Sequence, residues 1–412
     1  MSRFNTLGLA FILLAVSTNG LYAFGIKEVG SSLRSAASNL TTGASSIFSI
    51  PEGVKDVGRG IGNVAEGVAK QVPNLIPTPD GIFEASKNVL GGYPFELVSS
   101  AINTICSKVV AAETITPRVT PDLTKMNFQL RTACQNYSYP LLKANEIWHS
   151  PHFDPKKKVV ILATGWTTTI ENNSAIDTIG NAYNCRGDVN FVAVDAANFV
   201  DTLYTWAAFN TDQIGEHLAE GLVLLTDVVP VENIHLIGHS LGSHIVGAAG
   251  RYFSYKTGKL LPRITGLDPA KPCFNEGQML TGLMRGDAKF VDVIHSNSGV
   301  LGKRDPLGDV DFYPGGLDPL PPGCFDVSCA HHRAVRYYAE SVCPGNERNF
   351  MAKRCYSLTG LREEKCPGAE YPMGIDVPHS LNGNYFLEVN GDSPYGKNGK
   401  ASAQCEKCCK SG

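Results

Sequence analysis

Five short apolar runs between residues 158 and 294 constrain the fold of this chain more than any other feature of its sequence. They are Lys158–Ala163 (KVVILA), Asn190–Val194 (NFVAV), Asn233–Ile237 (NIHLI), Arg263–Leu267 (RITGL) and Phe290–Ile294 (FVDVI). Runs that are apolar at successive rather than alternate positions describe strands covered on both faces of a sheet. Between the second and third runs, Thr211–Val228 carries Ile214, Leu218, Leu222 and Leu225 near one helical face, and Leu241–Tyr252 starts a helix directly after the third. Strands alternating with helices predict an α/β fold, a mainly parallel sheet with helices on both faces.

The third run leads straight into Gly238-His239-Ser240-Leu241-Gly242, a G-x-S-x-G sequence. The five residues alone occur by chance in many chains, but a strand before them and a helix after them make a nucleophile elbow. A serine on that tight turn projects its oxygen above the sheet edge, and the flanking glycines let strand and helix approach closely. The helix N-terminus favours developing negative charge, and the backbone N–H of Leu241 is placed to donate to an oxyanion. Such a serine needs a base, and the base needs an orienting carboxylate. In α/β-hydrolases the chain order is serine, acid, histidine. Asp268 follows the fourth run in Gly266-Leu267-Asp268-Pro269-Ala270, at the sheet edge where sites form. An Asp-Pro after a strand is also a common turn or cap. His295, His331, His332 and His379 all lie downstream of Asp268, and spacing alone does not choose among them.

Other features bear on compartment and partners. The net charge of −3 gives no whole-chain attraction to nucleic acid or to an anionic membrane surface. Arg3 followed by the apolar run Leu7–Val16 has the dimensions of a signal peptide, with cleavage points after Gly20 or Ala23, and is too short to span a bilayer. All 12 cysteines lie beyond it, an even number that in a secreted chain predicts disulfides. Cys405, Cys408 and Cys409 resemble a zinc cluster but lack a second spaced pair, so disulfides are the expected use. No motif implies a cofactor or a catalytic metal. Glycosylation sequons stand at Asn39, Asn136 and Asn172. The expected divisions are a signal at 1–23, a glycine-rich extension at 24–115, a hydrolase domain at 116–396 and a polar tail at 397–412.

Six ordered blocks add a resemblance. Ile237–Ser243 (IGHSLGS), Ile264–Phe274 (ITGLDPAKPCF), Asp287–His295 (DAKFVDVIH), Asp311–Gly316 (DFYPGG), Pro322–Cys324 (PGC) and Cys329–Arg333 (CAHHR) are similar to the animal pancreatic-lipase family and its phospholipase A1 branch. The resemblance implies an α/β-hydrolase fold with Ser240 as nucleophile and Asp268 as acid. It also implies His331 as base, standing two residues after Cys329 and two before Arg333. His332 and His295 then fall outside the triad, and Asp292 is either a supporting carboxylate or a packing residue. The family's second oxyanion donor would be the backbone N–H of Trp166, within Thr164-Gly165-Trp166, where threonine replaces the family's histidine.

The family lid lies between the cysteines matching Cys324 and Cys329, and here only Phe325–Ser328 separates them. With the His295–Asp311 segment also short, the resemblance implies a phospholipase A1- or galactolipase-like esterase, with a triacylglycerol lipase as the other option, acting on lipid at a micelle or membrane surface without strong interfacial activation. Asn384–Val389 (NYFLEV) resembles the last strand of the catalytic domain, and 81 residues after His331 leave no room for a colipase-type C-terminal domain. Insect yolk proteins resemble the same family, including the glycine-rich extension and the stretch Asn184–Gly187, so a lipid-binding or storage protein is the alternative.

Overall fold

The computed structural model describes residues 122–165, 175–195, 208–274, 280–399 and 405. The chain divides into units Met1–Val98 and Ser99–Gly412, and every described residue lies in the second. The expected signal, the glycine-rich extension up to residue 115, Trp166 and residues 406–412 lie outside the described residues.

The strands are β1 (Asn127–Arg131), β2 (Asn136–Pro140), β3 (Lys158–Ala163), β4 (Val189–Asp195), β5 (Ile234–His239), β6 (Arg263–Leu267), β7 (Val291–Ile294), β8 (Val310–Pro314), β9 (Met351–Cys355), β10 (Glu370–Pro372) and β11 (Gly383–Leu387). They form one sheet in the order β10-β9-β11-β8-β7-β6-β5-β3-β4-β1-β2. From β11 through to β4 every neighbour is parallel, and antiparallel strands close both edges. The central strands are buried almost end to end, as their unbroken apolar runs require. Near the edge, β1 buries only Phe128 and Leu130 and alternates them with polar residues, the period-two signature of a half-covered strand.

Among the described residues, four long helices cover the sheet, α1 (Ala175–Arg186), α2 (Thr211–Leu225), α3 (Leu241–Thr257) and α4 (Val327–Val342). They pack as two pairs, α1 with α4 and α2 with α3, and β6 touches both α3 and α4. A hydrogen bond of 2.8 Å joins the Tyr183 and Tyr338 hydroxyls across the first pair. This is the α/β-hydrolase arrangement.

Boundaries differ from the sequence expectation for local reasons. Helix α2 stops at Leu225 because the next residues tighten into i→i−3 bonds ahead of Pro230. Helix α3 runs past Tyr252 to Thr257, ending where Gly258 takes the left-handed conformation (φ 68°). β5 begins at Ile234 because Val231–Asn233 form a 3-10 turn.

Disulfides join Cys324 to Cys329, Cys343 to Cys405 and Cys355 to Cys366, and Cys134, Cys185 and Cys273 are also disulfide-bonded. Cys405 is thereby committed to the C-terminal end of α4 rather than to a metal cluster in the tail.

Candidate active site

Ser240 occupies the single residue between β5 and α3, at φ 58° and ψ −126°, a conformation that L-residues adopt at a cost. The turn closes only because a neighbour lacks a side chain. A Cβ on Gly242 would lie 2.1 Å from the Ala163 carbonyl oxygen at the end of β3. The loop after β3 also presses on Ser240, since a Cβ on Gly165 would sit 2.6 Å from Ser240 Cβ and 2.7 Å from the Leu241 nitrogen. Leu241 opens α3, so its amide lies at the positive end of a helix of 17 residues. Thr164 is buried at the end of β3, and Trp166 lies outside the described residues.

Asp268 lies directly after β6 with φ 42° and no exposed surface. Its Oδ1 accepts the backbone N–H groups of Ser296 and Asn297 at 2.8 and 2.9 Å. Its Oδ2 accepts from His331 Nδ1 at 2.6 Å. His331 is the fifth residue of α4, whose start is capped by the Asp326 carboxylate accepting from the Cys329 N–H. Ser296 links acid and histidine, donating from Oγ to the Ala330 carbonyl at 2.7 Å and accepting from the Ala334 N–H at 3.1 Å. The chain therefore fixes the Asp268–His331 pair from both partners' backbones, with Ser240 at the same sheet edge. The Ala270 N–H donates to the Ser240 carbonyl at 3.2 Å, tying the Ser240 turn to the Asp268 turn.

The remaining histidines do other work. His295 bonds the Lys303 carbonyl (2.8 Å) and Asp311 (2.9 Å) and stacks on Tyr313. His379 stacks on Phe290 and shares its electrostatic surroundings with Arg263 and Lys158, at the opposite, amino-terminal edge of the strands. His239 donates from Nε2 to the His331 carbonyl at 3.2 Å, and its ring lies 4.7 Å from that of His331 and 5.1 Å from that of His332. Among the described residues, Asp292 bonds none of Ser240, Asp268 and His331. It grips Arg263 through two bonds of 2.8 and 2.9 Å and accepts from Thr265 Oγ1 at 2.8 Å. The sequence had given no signal for Ser296, Asn297 or His239 as supports of the pair.

Burial holds several of these histidines neutral. It pushes His235 and His239 well below the usual imidazole range, His244 down to about 3 and His332 down to about 4. The unfolded chain binds protons at these groups below pH ~6.5 while the native chain does not, so stability falls as pH drops from there toward the folded values. His244 alone accounts for about 2 kcal/mol between pH 6.5 and pH 5 at ~1.4 kcal/mol per unit. Asp287, raised by burial to about 6, opposes this between roughly pH 4 and 6, one group against these four histidines and His379, which burial also lowers. The urea midpoint is expected to fall clearly between pH 7 and pH 5, and an unchanged midpoint would contradict neutral burial.

The family model described as Lipase matches residues 97–395. The chain is 41% identical over 234 residues to Vitellogenin-3 of Drosophila melanogaster, covering 57% of this chain and 55% of that one. It is 34% identical over 257 residues to pancreatic lipase-related protein 2 of Cavia porcellus, covering 60% and 57%. Lipase member H of Oryctolagus cuniculus is 37% identical over 203 residues, covering 46% and 43%. The matched region thus spans about half the length of these curated relatives.

Proposed function

The chain belongs to the lipase family, and from that footing we propose that it is a secreted serine esterase releasing fatty acids from lipid esters. The observation that carries this reading is the buried Asp268–His331 hydrogen bond beside the Ser240 turn. A carboxylate on Nδ1 holds the proton there and leaves Nε2 to act as the base. His331 takes the Ser240 proton as Oγ attacks the acyl carbonyl carbon. The Leu241 and Trp166 amides hold the oxyanion, and His331 then protonates the departing alcohol. Water, deprotonated by the same histidine, releases the fatty acid and restores Ser240.

Phospholipids are the proposed substrate class, because the four residues between Cys324 and Cys329 are too few for the lid helix that the lipase resemblance places there. The rate on a short-chain ester is expected to rise smoothly through its critical micelle concentration, and a steep increase there would contradict a site without a lid helix between Cys324 and Cys329. Disulfides fit an oxidising compartment. Asn136, exposed on strand β2, is the described sequon open to glycosylation, whereas Asn39 and Asn172 lie outside the described residues.

A storage role is the second reading, favoured by the similarity to Vitellogenin-3 and by threonine at 164. Purified protein is offered phosphatidylcholine, triolein and a fluorophosphonate that labels activated serines. Fatty-acid release with label on Ser240 supports the esterase, with phosphatidylcholine preferred. Folded protein that does neither supports storage.

A further inference from the structure

The disulfide between Cys324 and Cys329 closes a short loop whose far end is the first turn of α4, two residues before His331. Its two sulfurs stand in unlike surroundings. Cys324 is buried, and its sulfur accepts from Nε of the buried Arg333 at 3.0 Å. Among the described residues that guanidinium pairs with no carboxylate. Its Nη2 donates to the Gly391 carbonyl at 2.8 Å, the Tyr395 ring lies 4.5 Å away, and Nη1 is buried without a partner. Cys329 is half-buried at the third position of α4, where the Asp326 carboxylate accepts its backbone N–H at 2.8 Å. The bridge between Cys355 and Cys366 gives the contrast. Both of its cysteines are buried, and their sulfurs lie 3.7 and 3.8 Å from the carbonyl oxygens of Lys353 and Gly360.

We infer that Cys329 is a thiol-exchange site, at which a dithiol reductant reversibly opens the Cys324–Cys329 bridge. Exchange runs by attack of a thiolate on one sulfur and departure of the other, and it is faster when the departing thiolate is stabilised. A neighbouring guanidinium stabilises a thiolate. Cys324 is therefore the better leaving group, and Cys329, the more accessible sulfur, is the one attacked. Asp326 adds to this bias, because its carboxylate disfavours a second negative charge on Cys329. The reductant's thiolate bonds to Cys329 Sγ as the Sγ–Sγ bond breaks, and the electron pair passes to Cys324, which stays ionised beside Arg333. The reductant's second thiol then loses its proton and displaces Cys329, which takes a proton up. The reductant leaves as a disulfide, having supplied two electrons. The carbonyl oxygens beside Cys355 and Cys366 repel a thiolate, so that bridge resists. Opening frees residues 325–328, including Phe325 at 94% exposed, from the closed loop ahead of His331. The bonds that Asp268 and His239 make to His331 do not run through the bridge. Exchange at Cys329 is independent of whether the chain hydrolyses esters.

The folded protein is incubated with dithiothreitol, quenched with iodoacetamide at intervals and read by peptide mass spectrometry. Cys324 and Cys329 are expected to be alkylated about tenfold faster than Cys355 and Cys366. With oxidised-thiol trapping by glutathione, which carries a single thiol, the mixed disulfide is expected on Cys329. Arg333→Gln should slow opening of the Cys324–Cys329 bridge about tenfold and leave the Cys355–Cys366 bridge unchanged, and Arg333→Lys should keep the fast rate. Equal rates for the two bridges, glutathione on Cys324, or an Arg333→Gln protein as fast as the original would overturn the inference. Arg333 is buried, and should its glutamine variant not fold, the cysteine that carries glutathione in the unaltered protein decides alone.

Discussion

Replacing Ser240 by alanine is expected to lower kcat about 10⁶-fold, and replacing Asp268 by asparagine about 10⁴-fold, in proteins that remain folded. The two losses differ in cause. Alanine removes the attacking oxygen and leaves only the binding and oxyanion contributions. Asparagine can still accept the Ser296 and Asn297 amides at Oδ1, so the turn is kept. Its NH₂ group, however, then faces His331 Nδ1 where a carboxylate oxygen stood 2.6 Å away. Nδ1 must become the acceptor, the proton moves to Nε2, and the base is lost at the atom that needs it. Initial rates on a soluble ester would test this, together with the double variant. Residues acting as one unit are not additive, so the double variant should be no slower than Ser240→Ala. An Asp268→Asn protein within tenfold of the original would show that the pair does not act as proposed.

Asp292→Ala is expected to cost about 4 kcal/mol of stability, because it strands the Arg263 guanidinium inside the protein. Arg263 and Asp292 are 5% and 0% exposed, side by side at the start of β6 and β7. Arg263 also donates to the Gly374 carbonyl at 2.7 Å and the Ile375 carbonyl at 3.2 Å, so the pair anchors the segment leading to β11. Those carbonyls do not neutralise the cation. Equilibrium urea unfolding should show the loss, with activity per folded molecule preserved because the pair lies away from Ser240. Asp292→Asn, whose one oxygen can still accept from Arg263 Nε and Thr265 Oγ1 but whose NH₂ group cannot accept from the second Arg263 nitrogen, should fall between the two. A loss under about 1 kcal/mol would mean that water reaches Arg263 once its partner is gone.

The sheet was legible because its strands are buried on both faces and the sequence must spell that burial as unbroken apolar runs. Lys158–Ala163 and Arg263–Leu267 needed no correction at either end. Ser240 and Asp268 were legible because each follows such a run by at most a few residues. The histidine was not, since four candidates follow Asp268 and only resemblance selected His331. Contacts across long sequence separations were invisible. Ser296 reaches Ala330 across 34 residues, and Arg333 reaches Gly391 across 58. Asp292 was ambiguous because a carboxylate inside a strand looks alike whether it aids catalysis or pins an arginine.

Among the described non-glycine residues, left-handed backbone occurs at Ser240, Asp268, Cys273 and Glu364, and two of these belong to the proposed triad. Each costs roughly 1–3 kcal/mol. Glycine at 240 would relax the elbow with no other change, and the molecule would gain stability as it lost its hydroxyl. Silence is thus downhill for this fold, and on the esterase reading proposed above the hydroxyl is held at a cost in stability. A protein valued only as bulk nutrient would have every physical incentive to let that serine go.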